Sequence, residues 1–264
     1  MDRRNFLTGV VAGAAAGAAA GVAGRIGWEK RSKPEKADKA DERGPIPKFA
    51  RLSFSQQGED IVLFHALRDV MKIEGATYMD VGAAHPRKSN NTYLLHWNGC
   101  HGVLVEPNPM FAKMCRDERP KDIVVEAGIG VSETTEADYY EIKGNPMLNT
   151  FSPDQVKELQ KGKTEDVVER VRKMPLLSIN KVIEQHFGGK SPDLLSTDVE
   201  GLDYDIIKTL DLSRFRPAVI CAEDVAVQTS GERSRIATYL AANGYISRGG
   251  SMVNAVYLDS KRMG

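Results

Sequence analysis

Carboxylates stand where apolar runs stop: Asp80, Glu106, Glu126, Asp198 and Glu223, with Asp224 beside the last. At the tip of a buried strand such a group can accept ribose hydroxyls, take a proton from a reacting hydroxyl, or hold a hard cation. The first sits in Tyr78-Met79-Asp80-Val81-Gly82-Ala83-Ala84, a buried run that ends in an acidic glycine turn. A helix-length gap later, Gly102-Val103-Leu104-Val105-Glu106-Pro107 ends in one carboxylate. This pairing suits an adenosine-type cofactor, because the glycine lets the backbone approach the ligand and the second acid takes the ribose. The turn reads Gly-Ala-Ala and lacks the glycines that cradle a pyrophosphate. NAD and FAD are therefore disfavoured, and S-adenosylmethionine (SAM), which has no phosphate, is favoured. A sugar dehydrogenase would also need a Tyr-x-x-x-Lys pair after such a turn, and none is visible.

Roles follow from position. Gly82 and Ala83 would pass under the methionine part of SAM, with Asp80 organising that turn. Glu106 would accept both ribose hydroxyls, with Asn108 beside it, and Glu126 and Ala127 would border the adenine. Asp198, Glu200, Glu223 and Asp224 would gather where a methyl acceptor must lie. That acidic group has three readings. Asp198, Glu223 and Asp224 would suit Mg²⁺, which lowers the pKa of an acceptor hydroxyl. Alternatively, Asp198 or Glu200 is a metal-free general base. Or the rim only hydrogen-bonds a sugar. A single acid at a strand end is as readily a helix cap, but five strand ends in succession exceed what capping explains. His85 beside the turn reads as structural rather than as a base.

The elements that must position these groups alternate apolar runs with helix-length segments, the pattern of βαβ units and a mostly parallel sheet. Helices are expected at 55–70, 89–97, 109–116, 178–187, 204–210 and 233–243, with Ser55 and Ser178 as N-caps. Core strands are expected at 77–81, 102–106, 122–126, 194–199 and 218–222, and a closing hairpin at 245–248 and 254–258. Residues 137–142 read as an added strand and 152–173 as a polar helical insertion, and the whole 137–176 insertion is expected to cover the acceptor.

The 264 residues are 41% hydrophobic with zero formal net charge, which gives one good core and no basic excess for nucleic acid. Cys100, Cys115 and Cys221 have neither metal nor disulfide spacing; Cys100 and Cys221, in apolar runs, read as buried thiols.

Several blocks together resemble the FkbM family of SAM-dependent methyltransferases. They are Ser55-Gln56-Gln57-Gly58-Glu59-Asp60, Asp80 through Pro86, Ser89-Asn90-Asn91-Thr92-Tyr93, Gly102 through Pro109, and Asp198-Val199-Glu200-Gly201. They run in the family's order over about residues 53–224. The resemblance implies a class I, Rossmann-like α/β fold with a mostly parallel seven-stranded sheet and an antiparallel C-terminal edge. It also implies O-methylation of a hydroxyl on a small-molecule or glycan acceptor. Gln57, in the opening block, would help hold the amino-acid end of SAM.

The N-terminus points elsewhere. Arg3-Arg4-Asn5-Phe6-Leu7 followed by an Ala/Gly/Val stretch to Gly24 resembles a Tat export signal or tether over residues 1–27. Residues 28–50, charged and proline-bearing, read as a linker, and 51–264 as the folded domain. Export would separate the domain from SAM, which is made in the cytoplasm, and the next methionine, Met71, lies past the opening block. Periplasmic, membrane-tethered and cytoplasmic placements therefore stay open. So does a second function, an exported non-catalytic Rossmann-like module that binds sugars or nucleosides. Oligomeric state is unread.

Overall fold

The structure, a computed structural model, describes residues 49–199, 201–224 and 234–263. Seven strands form one sheet: β1 (Thr77–Val81), β2 (His101–Val105), β3 (Ile123–Val125), β7 (Leu194–Thr197), β8 (Val219–Glu223), β9 (Tyr245–Gly250) and β10 (Asn254–Asp259). Their order is β3-β2-β1-β7-β8-β10-β9. The first five in that order are parallel, and β10 runs antiparallel to β8 and to β9. The order reverses between β1 and β7, and the crevice beyond the strand ends at such a switch point is where open α/β sheets bind ligands. This is the α/β architecture of class I methyltransferases, with the expected antiparallel C-terminal edge.

Period-two alternation sends neighbouring side chains to opposite faces. Met79, Val81, Val103, Val105, Leu195 and Ile220 point to one face, where they meet Ile179, Val182 and Ile183 of α5 (Ile179–His186). Ile206 and Ile207 of α6 (Asp203–Thr209) and Ile236 and Leu240 of α7 (Arg235–Ala242) complete that layer. Tyr78, Leu104, Leu194, Val219 and Cys221 face the other side, against Leu63 of α1 (Glu59–His65), Leu95 of α2 (Tyr93–Trp97) and Cys115 of α3 (Pro109–Glu118). Burial on both faces explains why these strands read as continuous apolar runs. All three cysteines are buried and free.

Three expected elements differ. The helix expected from Ser55 starts at Glu59 with Gly58 as its N-cap at φ 95°, and it ends in a π-helical turn over Ala66–Val70. The helix expected from residue 89 begins only at Tyr93, because the side chains before it hold the β1 turn instead. Residues 152–173 are not one helix. Only α4 (Pro153–Gln160) is helical, and Val168–Leu177 is a strand, β6. It lies between β4 (Gly128–Ile129) and β5 (Glu136–Ile142) in a separate three-stranded sheet, β4-β6-β5. The charges that suggested a helix form cross-strand pairs instead, Arg172 with Glu141 at 2.6 Å and Lys173 with Asp138 at 2.8 Å.

Candidate active site

Backbone contacts at the switch point join three strand tips. Gly82 and Ala83 donate to the Val105 carbonyl at 2.9 and 3.4 Å, and Asp198 N–H donates to the Val81 carbonyl at 3.0 Å. Gly82 has φ 83°, and a Cβ there would stand 2.1 Å from the Asp198 carbonyl oxygen. Only glycine fits both the conformation and the approach. The contact brings the β1 turn against Asp198, just past the end of β7.

Glu106 is buried, and its carboxylate ties this turn to the next helix. Oε2 accepts from Ala84 N–H at 2.7 Å and Oε1 from Asn108 N–H at 2.6 Å. Ala84 itself has φ 48°. Burial pushes the Glu106 carboxyl up to about 7, against the pull of those two N–H groups, with the negative charges of Asp80 and Glu126 adding to the rise. Asn108 Oδ1 caps α3 by accepting from Met110 N–H at 3.0 Å, ahead of Pro109. A ribose contact by Glu106 would add to bonds its oxygens already accept.

Asp80 reaches the turn through side chains that the sequence did not disclose. It accepts the Thr92 hydroxyl at 2.7 Å and Asn90 Nδ2 at 3.4 Å, while Asn90 Nδ2 also donates to the Ala83 carbonyl at 2.9 Å. Below them lies Arg119, fully buried at the end of α3. Its guanidinium donates to Asp122 at 2.7 Å, Tyr78 at 2.9 Å, Thr92 at 3.0 Å and Asn90 at 3.1 Å. Asp122 also accepts Gly102 N–H and the Tyr78 hydroxyl, each at 2.8 Å. Burial raises the Asp80 carboxyl and the Arg119 charge opposes that rise. The Ser89–Tyr93 block therefore braces the turn from beneath. The only hint of Arg119 in the sequence was its spacing three residues before Asp122.

The Ser55–Asp60 block is a clasp. Asp60 gathers Ser53 Oγ at 2.6 Å, Phe54 N–H at 2.6 Å and Ser55 Oγ at 2.9 Å. Ser55 Oγ accepts from Gly58 and Asp60 N–H groups, so it caps from outside the N-cap position. Gln57 Oε1 accepts from Met252 N–H at 2.9 Å, and Asn254 Nδ2 donates to the buried Glu59 at 3.4 Å. Phe54 carbonyl accepts from Asn90 N–H at 3.0 Å, which links the clasp to the β1 turn. His85 Nδ1 accepts from Arg87 and Lys88 N–H groups at 3.1 and 3.0 Å, so that nitrogen holds a turn.

Past the end of β3, Glu126 pairs with Arg116 at 2.7 Å and Ala127 is buried. Next to them Gly128 leaves no room for a Cβ, which would stand 2.8 Å from both Phe151 and Leu176. Phe151 packs on Tyr139 of β5, with ring centroids 4.8 Å apart. Burial, and after it the charge of Glu106, holds the Tyr139 hydroxyl well above the ordinary phenol range. The small sheet thus seats its aromatic face at the corner beyond β3, within the field of Glu106.

Beyond β7 and β8 the structure corrects one of the three readings of the acidic group. Among the described residues no three His, Cys, Asp or Glu side chains converge as metal ligands, so Asp198, Glu223 and Asp224 do not form the expected Mg²⁺ site. Asp224 turns to the neighbouring β10 strand, where it accepts the Tyr257 hydroxyl at 3.1 Å. Asp203, at the start of α6, is a buried carboxyl raised by burial that the sequence did not single out. Glu200 lies outside the described residues, as does the N-terminal segment 1–48 with its Tat-like pattern.

The chain is similar in structure to a TehB-like SAM-dependent methyltransferase from Corynebacterium glutamicum (10% identity, TM-score 0.39, covering 77% of this chain and 88% of that one). It is also similar to an O-methyltransferase from Bacillus cereus solved with SAH (14%, 0.34, 76% and 80%). A third is TomG of Streptomyces achromogenes, an O-methyltransferase of tomaymycin synthesis solved with SAM (14%, 0.33, 77% and 79%). No curated protein matches the chain. The model of the methyltransferase FkbM domain matches residues 80–247, more than half of the 264 residues and all of the strand tips described above. The chain belongs to the methyltransferase FkbM domain family.

Proposed function

We propose that this protein transfers the methyl group of SAM to a hydroxyl of a small-molecule or glycan acceptor. The observation that carries the reading is the convergence of Gly82, Glu106 and Asp198 at the sheet's switch point, with a glycine turn that has no pyrophosphate cradle. Those residues fit SAM: a buried carboxylate for the ribose, close backbone for the methionine part, and a dry aromatic corner for the adenine. SAM, when bound, supplies an electrophilic methyl on sulfonium. The chain's part is to align the acceptor oxygen with that methyl and to take its proton, and positioning supplies most of the acceleration. Asp198 is the base, with Glu200 the alternative. Residues 51–264 would form the catalytic domain, and the twin-arginine segment would tether it on the cytoplasmic side, where SAM is made.

The test is radiolabelled methyl transfer from SAM to a panel of sugars and hydroxylated natural products by the full-length protein. Label in an acceptor hydroxyl, lost in Asp198→Asn while SAM still binds, supports the reading. SAM binding with unchanged transfer by the variant would remove Asp198 from the chemistry.

A further inference from the structure

The opposite end of the sheet carries a second cleft, of about 450 Å³, at the starts of β1, β2 and β3. Ligand sites of small molecules run to roughly 300–1,000 Å³. Its wall is unusually basic for a chain of zero net charge. His101 opens β2, Lys121 precedes β3, His186 ends α5, and Lys190 follows two glycines, Gly188 and Gly189, at φ 60° and 72°. Among the described residues none of these four side chains makes a hydrogen bond or ion pair. Some exposed lysines elsewhere are matched, as Lys113 is by Asp117, Lys157 by Asp154 and Lys173 by Asp138. The one carboxylate lining the cleft, Asp193, is engaged: it accepts Thr77 N–H at 2.9 Å and Thr77 Oγ1 at 3.0 Å.

Two ammonium groups face one concavity against the single carboxylate of Asp193, with two imidazoles that add charge when protonated, and together they focus positive potential there. Lysine offers a point charge and histidine an N–H donor in either protonation state, a set that suits phosphate oxygens. Phe187 and Ile123 give the same cleft an apolar flank. We propose that this cleft binds a small phosphorylated ligand, separately from the methyl-transfer site. Because the two sites lie at opposite ends of the strands, this inference stands or falls independently of the SAM reading.

The probe is inorganic pyrophosphate, titrated at constant ionic strength and pH into the full-length protein. It is followed by the imidazole NMR signals of its five histidines, assigned by single His→Gln variants. The expected result is a saturable shift of His101 and His186 with His65 and His85 unmoved, and about tenfold weaker binding in the Lys121→Ala/Lys190→Ala double variant. Lys113→Ala should bind as the wild type does. No saturation, equal shifts in all histidines, unchanged affinity in the double variant, or displacement of pyrophosphate by SAM would each overturn the proposal.

Discussion

Glu106 is where one side chain serves both architecture and binding. Its folded-state pKa, pushed up to about 7, lies above the unfolded value of 4.5. The folded protein therefore holds the extra proton, and the stability of the ligand-free protein falls as pH rises from about 4.5 towards 7. Ribose hydroxyls donate to the carboxylate form, so SAM should bind more tightly as pH rises through that range and should release a proton. Calorimetry in buffers of different ionisation enthalpy would show it, and Glu106→Gln should flatten the pH dependence. Gly82→Ala should abolish SAM binding, since its methyl meets a carbonyl at 2.1 Å. Arg119 belongs to the same scale. Arg119→Met leaves Asp122 and Asp80 buried beside a lost cation, and removing one partner of a buried pair costs about 3–5 kcal/mol. Chemical denaturation should read that loss, and a change below about 1 kcal/mol would contradict the bracing role. Gly82 and Glu106 were legible because a glycine turn and a terminal acid leave a local pattern. Arg119 was not, because its partners come from three separate segments.

Among the elements, β1, β2, β7 and β8 were readable because burial on both faces leaves an unbroken apolar run. The β6 strand was hidden for the opposite reason. Its exposed face carries Glu169, Val171 and Lys173, and its order comes from pairing with β5, a non-local fact. The clasp of Ser55–Asp60 was likewise read as a helix start, because its partners Met252 and Asn254 lie far along the chain. The small sheet makes a prediction of its own. Phe151→Ala should weaken SAM binding through the loss of the wall against Gly128 and Tyr139, with global stability falling by no more than the about 3–5 kcal/mol of a buried aromatic truncation. Unaltered SAM affinity in a folded variant would detach the small sheet from the cofactor site.

On the scale of the whole molecule, the strand order turns scattered acids into a site. Asp80, Glu106 and Asp198 are separated by long stretches of sequence, yet a parallel sheet whose strand order reverses between β1 and β7 must deliver their strand ends to one crevice. The same sheet sends His101, Lys121 and Lys190 to the other end. The Mg²⁺ reading of the acidic group failed at this scale, because acidic strand ends aligned in sequence order need not point at a common centre; Asp224 points to Tyr257. The measurement that tests the central claim most directly is calorimetric titration of the full-length protein with SAM, with Glu106→Ala alongside. Micromolar, one-to-one binding that the variant loses is the predicted result. A folded wild type that does not bind SAM, or a variant that binds it equally well, would contradict the account.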